Sequence, residues 1–445
     1  MGLFVAQHSA GFWVVLAFLI AIGLMAVVWL VFMPRRWWAS LSRAETRIVA
    51  VYLAIRLIMP LVFQFLTTGG SSLVSGGSDA NVYHSKGVQI AQDLFQSGTA
   101  SAGAKVPGTG SVNLAVGWFY FIIGAPVRIA GIYAWTLLGT IGVMLFWLAT
   151  RQLAGKRKDT YALVLLFAPT LLIWNVTIGK DALIMFGLGC LVASVQMFLS
   201  RRNWGWATAY LVAGTLVVGS IRPFILGMCL FAFTVGIIVA KRNRLSLGTR
   251  VFVMLMLLGG VVYSYSQTSA LLGTDASGTT VIESAYQSAD RTAGGQGGSS
   301  YATAPTRSIA QVPNAVTTVL LRPYLWESRS ILQLFASLES IAMAGLLAWS
   351  LWRVTFGRER FIREPAVVAS AVYTLLFCSA IVSYGNFGLI VRQRMQVWPF
   401  LILLAFATAD RTQPLPTQLV EAEPLRHPRT AQQRALGSTS SRAAG

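Results

Sequence analysis

Long apolar runs recur along this chain, most of them close to the ~20 residues that a helix needs to cross a hydrocarbon core. They occupy residues 11–33, 48–67, 132–150, 160–177, 181–200, 206–219, 223–240, 251–266, 331–351, 366–382 and 395–408, with an ambiguous twelfth at 112–129. Between them lie short hydrophilic breaks. With 55% hydrophobic and only 11% charged residues in 445, the chain has too little polar surface to cover such a core in water. The expected fold is all-α: a polytopic membrane protein with about eleven transmembrane helices plus one re-entrant or twelfth helix.

The net charge of +20 would point to nucleic acid in a soluble protein. Here the cations cluster in the breaks between apolar runs, the pattern of cytoplasmic loops, and no basic patch with interleaved aromatics stands apart from the spans. No nucleic-acid partner is therefore expected. If 112–129 does not cross, 23 of the 35 Lys and Arg residues fall on one side, the tail included. That assigns the N-terminus to the outside and the tail to the cytoplasm. In the competing topology 112–129 crosses, four arginines are stranded outside and the charge pattern weakens. Aromatic residues in Gly117-Trp118-Phe119-Tyr120-Phe121 suit a re-entrant or interfacial helix instead.

Three regions follow: an anchor helix and basic cytoplasmic loop (1–47), a membrane domain (48–410) and a disordered cytoplasmic tail (411–445). The membrane domain carries two long outer loops, about 68–111 and 267–329. The first contains an amphipathic stretch at 82–94 with Val82, Ile90 and Leu94 at helical spacing. The second is rich in Gly, Ser and Thr around 294–300 and ends in a segment, 312–326, that reads as a helix lying on the membrane surface. Cys190, Cys229 and Cys378 all lie within apolar runs and lack metal-site spacing, so no disulfide framework is expected.

Charged residues at membrane depth or at span ends are expensive and mark functional candidates. In the favoured topology Asp79, Lys180, Asp181, Arg222, Arg322, Glu327, Arg392 and Arg394 all fall on the outer side, free to share one cavity. Arg222-Pro223-Phe224 and Arg322-Pro323-Tyr324 each place a guanidinium beside a fixed turn. Arg392-Gln393-Arg394 follows the turn Tyr384-Gly385-Asn386 and suits a phosphate or diphosphate, while Lys180 adds a point charge. Asp79 is the candidate general base, with Tyr83 or His84 to orient an acceptor. Each has a plainer alternative: helix capping for Asp181, headgroup contact for the arginines, an ordinary polar loop for Asp79. Arg56 is the one charge deep within a span. One histidine near the cluster is too few for a histidine metal site; no cofactor is demanded, although a divalent metal is compatible with the chemistry. Phosphate-loop, serine-elbow and zinc-protease motifs are all missing from the sequence.

The outer loop with Asp79 and Tyr83, then Gly117-Trp118-Phe119-Tyr120, Ile123-Gly124, Val127-Arg128 and a span ending at Arg151, resembles the front of GT-C-type integral-membrane glycosyltransferases. The likeness covers roughly residues 48–200. It implies a polyprenyl-linked donor used on the non-cytoplasmic face, with an acidic residue of the first outer loop, here Asp79, as base. Arg322-Pro323-Tyr324-Leu325-Trp326-Glu327 and Arg392-Gln393-Arg394 resemble membrane proteins of bacterial exopolysaccharide clusters and, in layout, O-antigen polymerases and ligases. The expectation is an inner-membrane glycosyltransferase or polysaccharide polymerase, with the outer arginines on the phosphate and Asp79 on the acceptor hydroxyl. A lipid-linked-glycan flippase and a noncatalytic subunit of a polysaccharide assembly complex are the alternatives.

Overall fold

The computed structural model describes residues 10–33, 38–68, 77–100, 108–200, 203–239, 247–272, 306, 308–328 and 331–410. The Gly-rich run at 294–300 and the tail from 411 lie outside the described residues. Among the described residues the chain is all-α apart from one short ribbon. Among the described residues seven helices are long and apolar enough to cross a membrane, or eight if one bent pair is a single span. Backbone groups within hydrocarbon must be paired inside their own segment, which is why these runs are helical.

The helices, in order, are α1 (Ala10–Phe32), α2 (Arg43–Thr68), α3 (Gly77–Ser97), α4 (Thr109–Ile123), α5 (Arg128–Thr150), α6 (Lys158–Leu166), α7 (Pro169–Ile173) and α8 (Lys180–Leu199). They continue as α9 (Trp204–Ile221), α10 (Pro223–Val239), α11 (Leu247–Leu272), α12 (Val312–Leu321), α13 (Ile331–Thr355), α14 (Pro365–Ile381), α15 (Phe387–Gln393) and α16 (Trp398–Phe406). β1 (Glu359–Phe361) pairs antiparallel with β2 (Thr408–Asp410). At three residues each, those strands are too short to leave an alternating pattern in the sequence.

α5 and α8 form the centre, with Met144, Leu145, Phe146, Trp147, Leu188 and Leu191 fully buried. Glycine lets their backbones touch: a Cβ at Gly189 would overlap the Gly142 carbonyl, and one at Gly142 would overlap that of Met185. Close approach through small residues is the usual substitute for a hydrophobic driving force between helices in lipid. Contacts pair Gly131 with Ile178 and Gly142 with Met185, so the two helices run parallel and α6 and α7 return between them.

Ion pairs fix which ends lie together. Glu45, at the start of α2, accepts two 2.8 Å hydrogen bonds from Arg151 just beyond α5. Nearby in the sequence pattern of basic loops, Arg157 and Arg353 both bind Glu359 of the ribbon. The segments at 38–45, 151–158 and 353–359, assigned to one side by charge, are thus stapled in pairs across the chain. α2 therefore leaves that end and α5 returns to it, so the intervening segment with α3 and α4 begins and finishes at the other end. α4 has 15 residues, fewer than a span requires.

Several elements differ from the sequence expectation. The amphipathic stretch at 82–94 is a longer helix, α3, whose buried stripe is Ala80, Tyr83, Gly87, Ile90, Ala91 and Leu94; Val82 is exposed, one residue off that stripe. α3 packs on α4 where a Cβ at Gly87 or Gly117 would overlap Val116 or Ile90. Within 312–326, read from the sequence as a helix, Val312–Leu321 forms α12, which buries one face, Ala315, Thr318, Val319 and Leu320, and leaves Pro313, Asn314 and Thr317 exposed. The run at 160–177 is broken at Ala168-Pro169, because proline cannot donate to the preceding turn and its ring clashes there. The run at 395–408 begins earlier, as α15, and bends by 55° before α16.

Candidate functional site

The break before α8 supplies the floor of the site. After α7 the chain leaves helical geometry through 174–179, and Gly179 enters α8 with extended backbone and no side-chain cap. Unwound carbonyls at membrane depth need donors. Arg56 supplies them: it donates to Leu172 O at 2.8 Å, to Thr136 O and Asn175 O at 3.1 Å, and to Thr140 Oγ1 at 2.8 Å. Trp135 Nε1 donates to Gly179 O at 3.1 Å. Trp135 lies seven residues below Arg128, so Lys180 and Asp181 are recessed about 10 Å from the start of α5, at 1.5 Å per residue.

Arg392, on α15, reaches into this recess. Its Nη1 is 2.8 Å from Asp79 Oδ2, and its Nε donates to Asp181 Oδ2. The guanidinium lies over Gly179, where a Cβ would come within 3.5 Å of Nη2. Arg222 occupies the break between α9 and α10, with Pro223 at the first position of the following helix. Its Nη2 is 3.7 Å from Asp181 Oδ1 and its Nη1 donates to Gln393 Oε1. Gln393 Oε1 also accepts from Gln396 Nε2 at 3.0 Å. Asp181 is 1% exposed, whereas the Asp79 side chain is 53% exposed. Tyr83, one turn beyond Asp79 on α3, feels Asp79, Arg392, Asp181 and Arg222; burial first, then the neighbouring Asp79 charge, pushes its phenol up to about 12. It stays a neutral donor.

Lys180 stands beside these groups, and its field is set by Arg222, Asp181, Asp79 and Arg392. No ion pair or hydrogen bond of Lys180 is formed among the described residues. The cluster thus holds three cations, Lys180, Arg222 and Arg392, against two carboxylates. One positive charge is left over in the cluster, an arrangement suited to an anion. Both carboxylates already serve Arg392, and among the described residues no three His, Cys, Asp or Glu side chains gather as metal ligands.

Asp79, Tyr83, Lys180, Asp181, Arg222 and Arg392 come together from four regions of the sequence. The other candidates do not join them. Arg394 turns the opposite way, because residues two apart on a helix face different sides. It is 1% exposed, donates from Nε to Val319 O at 2.6 Å and from Nη1 to Ser340 Oγ at 2.7 Å, and lies over Trp398. Arg322 binds Glu327 through Nε at 3.0 and 3.1 Å and sits over the Phe387 ring. That pairing holds the Glu327 carboxyl below the usual carboxylate range. Asn386 caps α15, accepting from Leu389 N at 3.3 Å. His84 Nδ1 is 2.8 Å from Tyr120 Oη.

Sequence reasoning passed over two contributors. Gln393 was hidden between two arginines, and Arg56, although conspicuous as a charge in mid-span, is a scaffold for the unwound turn. Comparison with protein-family models, curated proteins and solved structures finds no match to this chain.

Proposed function

We propose that this protein is a glycosyltransferase or polysaccharide polymerase of the bacterial inner membrane, transferring sugar or repeat units from a polyprenyl-phosphate or -diphosphate donor on the outer face. The observation that carries the reading is the surplus cation of the recessed Lys180–Arg222–Arg392 cluster beside a half-exposed carboxylate. An incoming phosphate competes with Asp79 for Arg392. Asp79, released, takes the proton of the acceptor hydroxyl as the new glycosidic bond forms and the bond from the sugar to the phosphate oxygen breaks. The departing phosphate stays with Arg392, Arg222 and Lys180, whose task is to stabilise charge as it develops. In this reading about eleven spans cross, the α3–α4 segment remains on the outer side, and Arg394, Arg322, Glu327 and Asn386 brace the surrounding elements without lining the site.

A flippase is favoured by one specific observation: the site is assembled from interrupted helices, α7 to α8 and α15 to α16, as in many transporters. The lipid-linked sugar pool of cells lacking the protein separates the two, with leaflet read by an impermeant glycosidase on spheroplasts. Accumulation on the outer leaflet, reversed by the wild-type chain but not by Arg392→Gln, is expected. Accumulation confined to the inner leaflet favours the flippase, and an unchanged pool removes both.

A further inference from the structure

The last two turns of α13 carry an aromatic stripe. Trp349, Trp352 and Phe356 follow one another at helical spacing, with Phe356 N donating to Trp352 O at 2.8 Å, and all three are exposed, Phe356 at 79%. They fall at the end of Gln333–Thr355, a segment long and apolar enough to cross a membrane. That is the level at which aromatic rings meet lipid headgroups. The chain beyond them is held firmly. Arg353 stacks on Trp349 at 3.8 Å and donates to Thr408 Oγ1 and to Ala405 O, each at 2.8 Å. With Arg157 it also binds Glu359, so the ribbon of β1 and β2 is locked against the end of the helix.

Three more arginines stand on this rigid corner. Arg358, Arg360 and Arg363 flank or belong to β1, all are exposed, and among the described residues none of their side chains forms an ion pair or hydrogen bond. Glu359 is spent on Arg157 and Arg353, which leaves Glu364 as the one other acid in 356–364.

We propose that this corner, Trp352 and Phe356 with Arg358, Arg360 and Arg363, is a docking surface for anionic phospholipid headgroups. The rings set the level, and the arginines, next along the chain, reach the layer of phosphates, whose oxygens match the paired donors of a guanidinium. Charge selects the lipid. A zwitterionic headgroup brings its own cation to a patch that already has a surplus, whereas an acidic one such as phosphatidylglycerol brings negative charge alone. Each basic residue close to an anionic lipid surface contributes about fivefold in affinity. The surface shares no residue with the recess, so it stands or falls independently of what the recess binds.

The test titrates the full chain in maltoside micelles with short-chain phosphatidylglycerol and phosphatidylcholine, counting bound lipid by native mass spectrometry. Phosphatidylglycerol is expected to bind about tenfold or more tightly than phosphatidylcholine. Arg358→Gln, Arg360→Gln and Arg363→Gln together should abolish that preference. The corresponding three Lys replacements, which keep the charge, should retain it and guard against misfolding of the Gln variant. Trp352→Ala with Phe356→Ala should weaken both lipids alike, because the rings set depth and not charge. Arg43→Gln, Arg47→Gln and Lys156→Gln remove three exposed cations elsewhere and should leave the preference intact. Equal affinity for the two lipids overturns the inference. So does a preference that survives the three Gln replacements at 358, 360 and 363, or one lost as fully in the Lys set or in the distant set.

Discussion

Asp181→Asn is the perturbation that most directly tests how the recess is held together. Asp181 is 1% exposed, accepts from Arg392 Nε and faces Arg222 Nη2 at 3.7 Å. Removing its charge leaves two guanidinium groups, each with its side chain 13% exposed, short of a counter-ion, and breaking one side of a buried pair costs about 3–5 kcal/mol as an upper range. Arg392 keeps Asp79 at 2.8 Å, so the lower half of that range is expected. Asp79→Asn removes a pair whose carboxylate is 53% exposed, and should cost at most about 1 kcal/mol. A double-mutant cycle of Asp181→Asn with Arg392→Gln, read by denaturant titration in mixed micelles, isolates the interaction itself. A coupling near 2 kcal/mol, about a thirtyfold change in equilibrium constant, is expected. A coupling under 0.5 kcal/mol, or equal costs for Asp181→Asn and Asp79→Asn, would refute the claim that Asp181 is the internal anchor of the cluster.

Replacing Arg56 by Met strips a donor from the carbonyls of Leu172 and Asn175, while Thr136 O keeps the Thr140 hydroxyl at 2.7 Å. Each unsatisfied group costs about 1–3 kcal/mol, so folded yield should collapse, and Arg56→Lys, with one nitrogen for four acceptors, should recover only part of it. Acidification should destabilise the protein through His84. Burial and the Arg128 charge lower its pKa below the ordinary 6.5, so the unfolded chain takes up protons first and stability is lost as pH falls from about 6.5 through the lower folded value. His84→Gln should flatten that part of a thermal-melt profile against pH; an unchanged slope would assign it elsewhere. Cysteine introduced at the exposed Lys86 should react with an impermeant maleimide in intact spheroplasts, while one at Arg360 should react only after lysis. The opposite pattern would invert the proposed topology.

Binary composition and the lengths of the apolar runs were enough to establish a helical membrane protein, because lipid leaves the backbone few other options. Of the basic loops that charge placement grouped on one side, those holding Glu45, Arg151 and Arg157, and Arg353 and Glu359 are joined by ion pairs in the structure. The same reasoning placed Asp79, Lys180, Asp181, Arg222 and Arg392 on a common side, which the structure brings into one cluster. Side-chain direction was out of its reach. Arg392 and Arg394 look like twins in sequence, yet a two-residue step on a helix sends one into the recess and the other against Val319 and Ser340. Asn386 and the Arg322–Glu327 pair likewise satisfy each other or their own backbone, a choice made by local geometry rather than residue type.

Depth was also decided by tertiary structure alone. A hydropathy run does not say where a proline break will be tolerated, because that depends on a donor arriving from another helix. Here the donor is Arg56, more than a hundred residues before the turn it satisfies. With that arginine in place, α8 starts about 10 Å further along than the start of α5, and Lys180 is half-buried beside Asp181. The sequence determined which residues were available to an anion on one side of a membrane; only packing decided which of them meet, because buried polar groups go where their partners are.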